Sequence, residues 1–373
     1  MQELIRLLNA IEDVRSAGLD AAIATVVRVK GSAYRREGTK MLIDATGKQV
    51  CMISGGCLEQ EVGEIAQQVM ASGEPQVHFF DLDEDLVWGL GLGCGGAVDV
   101  YIEPFDEGEA HRLWLAAVRG QASACLATVI ASENPEITKG SRMFIDEAVT
   151  ATGSLDNSEL EAKVLALAKQ KMSELYPRSQ TSSFELPGGS VDVFLDVTVP
   201  APDLVIFGAG HDAIPMAEFG HKLGFNIIVV DARHAFVTEE RFPMADQLIR
   251  THPSGLAEKV ILGPRSYAIV MNHHLERDKE TLKFLLNTPA PYIGVLGPRK
   301  RYNDMLAAFK DEAFEPDAED LKRVRNPIGV DVGADTPEEI AVSVMSELLA
   351  VRGGYEAGFL NERSGRIHAR LEG

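Results

Sequence analysis

The first half of the chain repeats itself, and that repeat constrains the fold more than any single motif. "ATVVRVKGSAYRREGTKMLID" from Ala24 returns 103 residues later as "ATVIASENPEITKGSRMFID" from Ala127. "GGCLEQEVGEIAQQV" from Gly55 returns as "TGSLDNSELEAKVLALA" from Thr152, and "GAVDVYIEP" from Gly96 returns 93 residues on as "GSVDVFLDV" from Gly189. Each copy reads strand, turn, strand, glycine-containing turn, helix, strand. The offset shrinks because the second copy has lost loop residues, and two copies are too few for a solenoid. The pattern predicts an α+β domain over residues 1–198, built from two related halves at about 20–104 and 123–197. Ahead of it, Leu4, Leu7, Leu8 and Ile11 recur at helical spacing among charges, which reads as a docking helix and not a signal peptide.

From Asp203 the pattern changes to short apolar runs alternating with amphipathic ones. "DLVIFGAG" is a strand entering a glycine turn, "AIPMAEFGHKLG" a helix, and "FNIIVVD" the next strand. "YAIVM" and "YIGVLG" are further buried strands around the helix "DKETLKFLLN". Thr336 and Glu339 make a capping box for a closing helix with Pro337 at its first position. Such alternation predicts an α/β, Rossmann-like, doubly wound parallel sheet over residues 199–373, ending in a basic tail.

A formal charge of −20 excludes a basic face for nucleic acid and disfavours anionic membranes. No apolar run is long enough to span a bilayer. Four cysteines in 373 residues are too few for a disulfide scaffold, so a cytoplasmic setting is expected.

The chemistry-bearing residues fall in glycine-rich loops. "GLGLGCGG", Gly89 to Gly96, surrounds Cys94 with Gly93 and Gly95; "SGGC" places Gly55 and Gly56 before Cys57 at the start of a helix; "GSAYR" presents Arg35. A helix N-terminus lowers a thiol's pKa, whereas Glu59 and Glu61 oppose that shift. Several loops with free N–H groups and two thiols suit a polyanionic ligand carrying a soft atom, such as a thiophilic metal. The second copy keeps the scaffold but not these loops. Cys51 and Cys125, in apolar strand sequence, read as packing.

In the second half, "GAGHDA" is a dinucleotide fingerprint: Gly208 makes the tight turn and Gly210 admits a pyrophosphate. Asp231, ending the next strand, is placed to accept hydrogen bonds from a ribose. His211 either donates to a phosphate or faces solvent. His273 and His274 follow a buried strand; one of them is expected at the cleft, and adjacent histidines make a poor metal pair. Arg299, Lys300 and Arg301 read either as a phosphate site or as a solvated helix start.

Together "GSAYRREGTKMLI", "SGGCLEQEV", "GLGLGCGG", "FGAGHDA", "VVDAR", "MNHHLERD" and "NPIGVDVGADTPEEIAVSVMSELLAVRGG" resemble the XdhC/CoxI family of xanthine dehydrogenase accessory factors, in order from about residue 20 to 354. The resemblance implies a cytoplasmic, homodimeric chaperone that binds molybdenum cofactor (molybdopterin) and protects it while a cysteine desulfurase adds sulfur. It then delivers the cofactor to a molybdenum hydroxylase such as xanthine dehydrogenase. It implies Cys57 and Cys94 as contacts to molybdenum or its sulfur, with Gly55, Gly56, Gly93, Gly95 and Arg35 around them. Gly208, Gly210, His211, Asp231 and His273 would then hold a phosphate or nucleotide end. The chain is expected to act as a maturation factor, since it lacks the iron–sulfur cysteine set of the dehydrogenase itself. The rival readings are an NAD-dependent oxidoreductase with His211 or His273 as acid or base, and a zinc or redox protein using Cys57 and Cys94.

Overall fold

The computed structural model describes residues 2–31, 33–82, 96–106 and 108–362, which divide into two compact units with their boundary between Pro200 and Ala201. The first unit opens with α1 (Gln2–Ala17), β1 (Ala21–Gly31), β2 (Lys40–Asp44), β3 (Gln49–Val50), α2 (Glu59–Ser72), β4 (Gln76–Asp81) and β5 (Gly96–Pro104). It continues with α3 (Glu109–Arg119), β6 (Ala124–Ser132), β7 (Arg142–Ile145), β8 (Ala151–Gly153), α4 (Ser158–Ser173), β9 (Gln180–Leu186) and β10 (Gly189–Thr198). The strand orders are β3-β2-β1-β5-β4 and β8-β7-β6-β10-β9, so the second antiparallel sheet is the first with every strand advanced by five. Each repeat also holds a short third strand and an edge strand, β4 or β9, whose mixed polar sequence does not advertise them.

Side-chain alternation explains the layering. Ala22, Ala24 and Val26 of β1 pack under Val62, Ile65, Ala66 and Val69 of α2, while Ala21 and Ile23 on the other face pack under Leu7, Ile11 and Val14 of α1. Full burial of each such Val, Leu or Ile is worth about 1.5–3 kcal/mol. Gly73 ends α2 in the left-handed region, and the Asn157 side chain caps α4 by accepting from the Leu160 N–H.

The duplication extends to irregularities. The β1–β5 register slips between Val26 and Arg28, and the β10–β6 register slips opposite Ile130. Bulge residues Val27 and Ile130 meet Tyr101 and Phe194 in one cluster joining the halves. Beside it three ion pairs cross between halves among the described residues: Arg28 with Asp192 at 2.7 Å, Lys40 with Asp196 at 2.8 Å, and Arg142 with Glu103. Lys40 and Arg142 are repeat equivalents, as are Glu103 and Asp196, so each half lends its cation to the other's acid.

The second unit contains β11 (Asp203–Phe207), α5 (Ala213–Lys222), β12 (Asn226–Asp231), β13 (Gln247–Arg250), α6 (Leu256–Lys259), β14 (Ser266–Val270), α7 (Leu275–Leu286), β15 (Tyr292–Val295), α8 (Arg299–Asp311), α9 (Ala318–Lys322), β16 (Val324–Arg325) and α10 (Pro337–Gly353). All paired strands are parallel, in the order β13-β12-β11-β14-β15-β16. That is the doubly wound dinucleotide-fold order, whose chain direction reverses between β11 and β14 and opens a crevice at their carboxyl ends. The capping box of Thr336 and Glu339 starts α10 as expected. Among the described residues no helix is long and apolar enough to cross a membrane.

Candidate functional site

The Cys57 loop is built from inside. Glu59, the first residue of α2, is buried and turned back: its carboxylate accepts from the N–H groups of Ile53, Ser54 and Leu58 and from the Ser54 hydroxyl. The Ser54 oxygen in turn accepts from the N–H groups of Gly56, Cys57 and Leu58, at 3.2, 3.0 and 3.2 Å. Burial pushes the Glu59 carboxyl up, but these hydrogen bonds, led by Ser54, outweigh it and hold it below the usual range. This corrects the expectation of an open N–H cradle here. The loop's donors are already satisfied, and Glu59 anchors the loop instead of facing the thiol as a solvated charge. Gly56, at φ +109°, is where the turn requires glycine.

Cys57 lies one residue before the helix cap and lines a cavity of about 100 Å³ with Tyr34, Arg35, Ile53, Gly55, Leu82 and Val98. The "GSAYR" and "SGGC" loops, with 18 residues between them in sequence, thus share one small, largely apolar pocket. Its far wall is where Leu82 N–H donates to Gly96 O at 2.8 Å, so the chain leaves and rejoins the sheet at the pocket's edge. Cys94, Gly93 and Gly95, in the intervening segment, lie outside the described residues.

Arg35 is held by Met52 O, to which its Nε donates at 3.2 Å, and by the Glu3 carboxylate of α1. A ligand anion would therefore compete with Glu3. The remaining thiols are structural. Cys51 donates to Glu3 O at 3.4 Å and is pushed up by burial and then by the Glu3 charge; Cys125 is fully buried and pushed up by burial. Among the described residues no three His, Cys, Asp or Glu side chains cluster as metal ligands.

The second unit brings its expected residues together at the crevice. Gly208, at φ +118°, passes so close to β14 that a Cβ would lie 2.3 Å from Met271 O. A Cβ on Gly210 would meet the Asp212 carboxylate at 2.4 Å and the His273 ring at 3.7 Å. His273 Nε2 pairs with Asp212 Oδ2 at 2.7 Å, while His274 caps α7 by accepting from Arg277 N–H. Of the two histidines, His273 is therefore the one at the glycine turn. His211 is exposed. The N–H groups of Gly210, His211 and Asp212 have no protein partner among the described residues, leaving an anion seat at the start of α5.

Asp231 is 2% exposed and fully engaged: Oδ2 accepts from Ala209 N–H at 2.8 Å and Arg233 Nη2 at 2.6 Å, and Oδ1 from Arg233 N–H and Nε. Burial raises its pKa, but hydrogen bonds from Arg233 and Ala209 outweigh it and leave the group low. It locks the glycine turn, and a ribose would have to displace Arg233. Arg233 itself lies 3.9 Å over the Phe236 ring, and Arg241 donates to Ala209 O and Gly210 O. Sequence reasoning missed Ser54, Glu59 as an anchor, Asp212, Arg233 and Arg241. The Ser-to-Glu spacing around a helix start was the one readable hint. Arg301 pairs with the buried Asp278, so that cation is structural.

Sequence comparison matches residues 204–348 to the XdhC Rossmann domain and residues 14–81 to the XdhC and CoxI family. A Bacillus subtilis protein described as a probable component of xanthine dehydrogenase is 30% identical over 89% of this chain and 93% of its own. The molybdenum cofactor insertion chaperone PaoD of Escherichia coli is 20% identical over 92% of this chain and 86% of its own. The crystal structure of a Bacillus halodurans protein described as a xanthine dehydrogenase superposes with a TM-score of 0.73, at 29% identity, covering 92% of this chain and 95% of that one.

Proposed function

Because the chain belongs to the XdhC and CoxI family, we propose that it binds molybdenum cofactor as cargo, holds it while a cysteine desulfurase supplies the terminal sulfur, and passes it to a molybdenum hydroxylase of the xanthine dehydrogenase kind. The observation that carries this is the Cys57 pocket: a thiol on a rigid, internally bonded turn, in an apolar recess with one arginine. A recess of about 100 Å³ takes a metal–sulfur end and not a whole pterin, since pockets for complete small molecules run to about 300 Å³ or more. Cys57 would offer the soft ligand, with Cys94 as the second thiol, and Arg35 would meet negative charge once released from Glu3. The N–H groups of Gly210 and His211 are the best-prepared phosphate seat in the second unit. A homodimer in the cytoplasm completes the proposal.

The NAD-dependent oxidoreductase reading fits the strand order, but one feature disfavours it. Asp231 has no oxygen to spare for a ribose. Names of relatives that mention the dehydrogenase do not make this chain the catalyst, for the reason of its cysteines.

The test is anaerobic equilibrium binding of molybdenum cofactor to the pure protein, with NAD in parallel. Cys57→Ala and Cys94→Ala should weaken cofactor retention without changing thermal unfolding. Unchanged retention in both variants removes the thiols from the mechanism, and saturable NAD binding without cofactor retention favours the oxidoreductase.

A further inference from the structure

The first unit holds a second recess, larger than the cysteine pocket. It spans about 390 Å³ where the two halves meet, between residues 36–40 (the end of the loop 34–39 and the start of β2), the start of α1, and the segment 177–179 with the end of β10. Its charges are unequally satisfied. Lys40 is paired with Asp196 at 2.8 Å, and the Ser179 hydroxyl also donates to Asp196. Glu3 is engaged by Arg35, and Glu37 accepts from Val29 N–H at 3.1 Å. Glu3 and Glu37 thus have hydrogen-bond partners, whereas Asp196 Oδ2 is met by the Lys40 charge alone and has no hydrogen-bond partner among the described residues. Two guanidinium groups on the same wall, Arg36 and Arg178, have no carboxylate within ion-pair distance among the described residues, and Arg36 Nη2 is buried there without any hydrogen-bond partner. A third donor is idle nearby: Trp114, 1% exposed, lines the recess and its indole N–H is also unpartnered among the described residues.

Leaving a buried cationic donor or an indole N–H unmet costs about 1–3 kcal/mol each, more for the charged one. A guanidinium fork matches a phosphate or carboxylate oxygen pair, and two forks suit a dianion better than a monoanion. The recess also has the size of a small-molecule site, larger than a bare oxyanion needs.

We propose that this recess is a binding site for a small phosphate ester, with the phosphate held by Arg36 and Arg178 and an ester or phosphate oxygen accepting from the Trp114 indole. It is separate from the Cys57 pocket and independent of the cofactor reading. Because its wall comes from both halves, a bound ester would clamp the halves together. It would also fix the loop whose first residues, Tyr34 and Arg35, line the Cys57 pocket.

The experiment titrates the full-length protein with phenyl phosphate, inorganic phosphate and benzoate at constant ionic strength, by calorimetry and by the indole ¹⁵N–¹H signals. The Trp114 signal is identified by its loss in Trp114→Phe. The expected result is saturable binding of phenyl phosphate that shifts the Trp114 signal. Arg36→Met and Arg178→Met should each weaken it at least about tenfold without lowering the ligand-free unfolding temperature. Tighter binding of phenyl phosphate than of inorganic phosphate identifies an ester as the ligand, and equal affinities identify the free ion. Non-saturable responses to all three probes up to millimolar concentration, or affinities indifferent to both arginine substitutions, overturn the site and leave the recess to water.

Discussion

Arg142→Met isolates one of the buried ion pairs that join the two halves of the first unit. The Arg142 side chain is 11% exposed and Glu103 is 12% exposed, so both charges of the pair are largely out of water. Asp106, Arg142's other acid at 2.8 Å, is 54% exposed and contributes little. Removing the arginine strands a buried carboxylate, a perturbation that costs about 3–5 kcal/mol. For a unit of roughly 200 residues, at about 2–4 °C per kcal/mol, the unfolding temperature should fall by about 6–20 °C. The readout is thermal unfolding through the buried Trp114 in a Trp88→Phe background. The pH dependence supplies the sign. Burial raises the Glu103 pKa, and the Arg142 and then the Lys40 charges pull it back, so without Arg142 it rises further. A raised acid contributes most when protonated and loses that contribution as pH rises through its folded value. His111, held down to about 4 by burial and then by the Arg142 charge, becomes easier to protonate once Arg142 is gone. Both effects shrink the deficit on acidification, so the variant should lag the wild type less at pH 5 than at pH 8. Adding Glu103→Leu should recover most of the loss. A deficit below about 1 kcal/mol at neutral pH, or one that grows on acidification, refutes the account.

His111 should also make the wild type acid-sensitive. Its pKa falls from 6.5 to about 4, so its neutral-state contribution is present above the unfolded value and is lost as pH falls through that interval. The loss is on the order of 3 kcal/mol, and His111→Phe should flatten the stability profile there; an unchanged slope assigns the acid sensitivity to other groups. Gly208→Ala combines a left-handed φ with a Cβ 2.3 Å from Met271 O, and should cost about 2–5 kcal/mol in urea unfolding of the second unit. A cost under about 1 kcal/mol would mean the turn relaxes freely. Ser54→Ala removes the acceptor shared by the N–H groups of Gly56, Cys57 and Leu58 and should destabilise by about 1–3 kcal/mol. It should also speed alkylation of Cys57, and an unaltered rate would show that the loop does not depend on that hydroxyl.

The order of elements was legible in the residues. The spacing between Ala24 and Ala127 and between Gly96 and Gly189 foretold two sheets of one topology, because a repeat preserves the alternation that buries each face. "GAGHDA" and the apolar runs around it foretold the doubly wound sheet, whereas which of His273 and His274 meets the glycine turn was decided by the tertiary structure. The repeat and the apolar runs are local periodicities, and local sequence carries them. What each side chain bonds to was decided only by the tertiary structure. Ser54 and Glu59 consume the donors of the Cys57 loop, Arg233 and Ala209 saturate Asp231, and Glu3 engages Arg35. The crossed pairs Lys40–Asp196 and Arg142–Glu103 join residues far apart in the chain, as do the walls of the recess that leaves Arg36 and Trp114 unmet. Periodicity places a residue on a face, but charge pairing and hydrogen bonding depend on which faces meet, and that is a property of the packed chain.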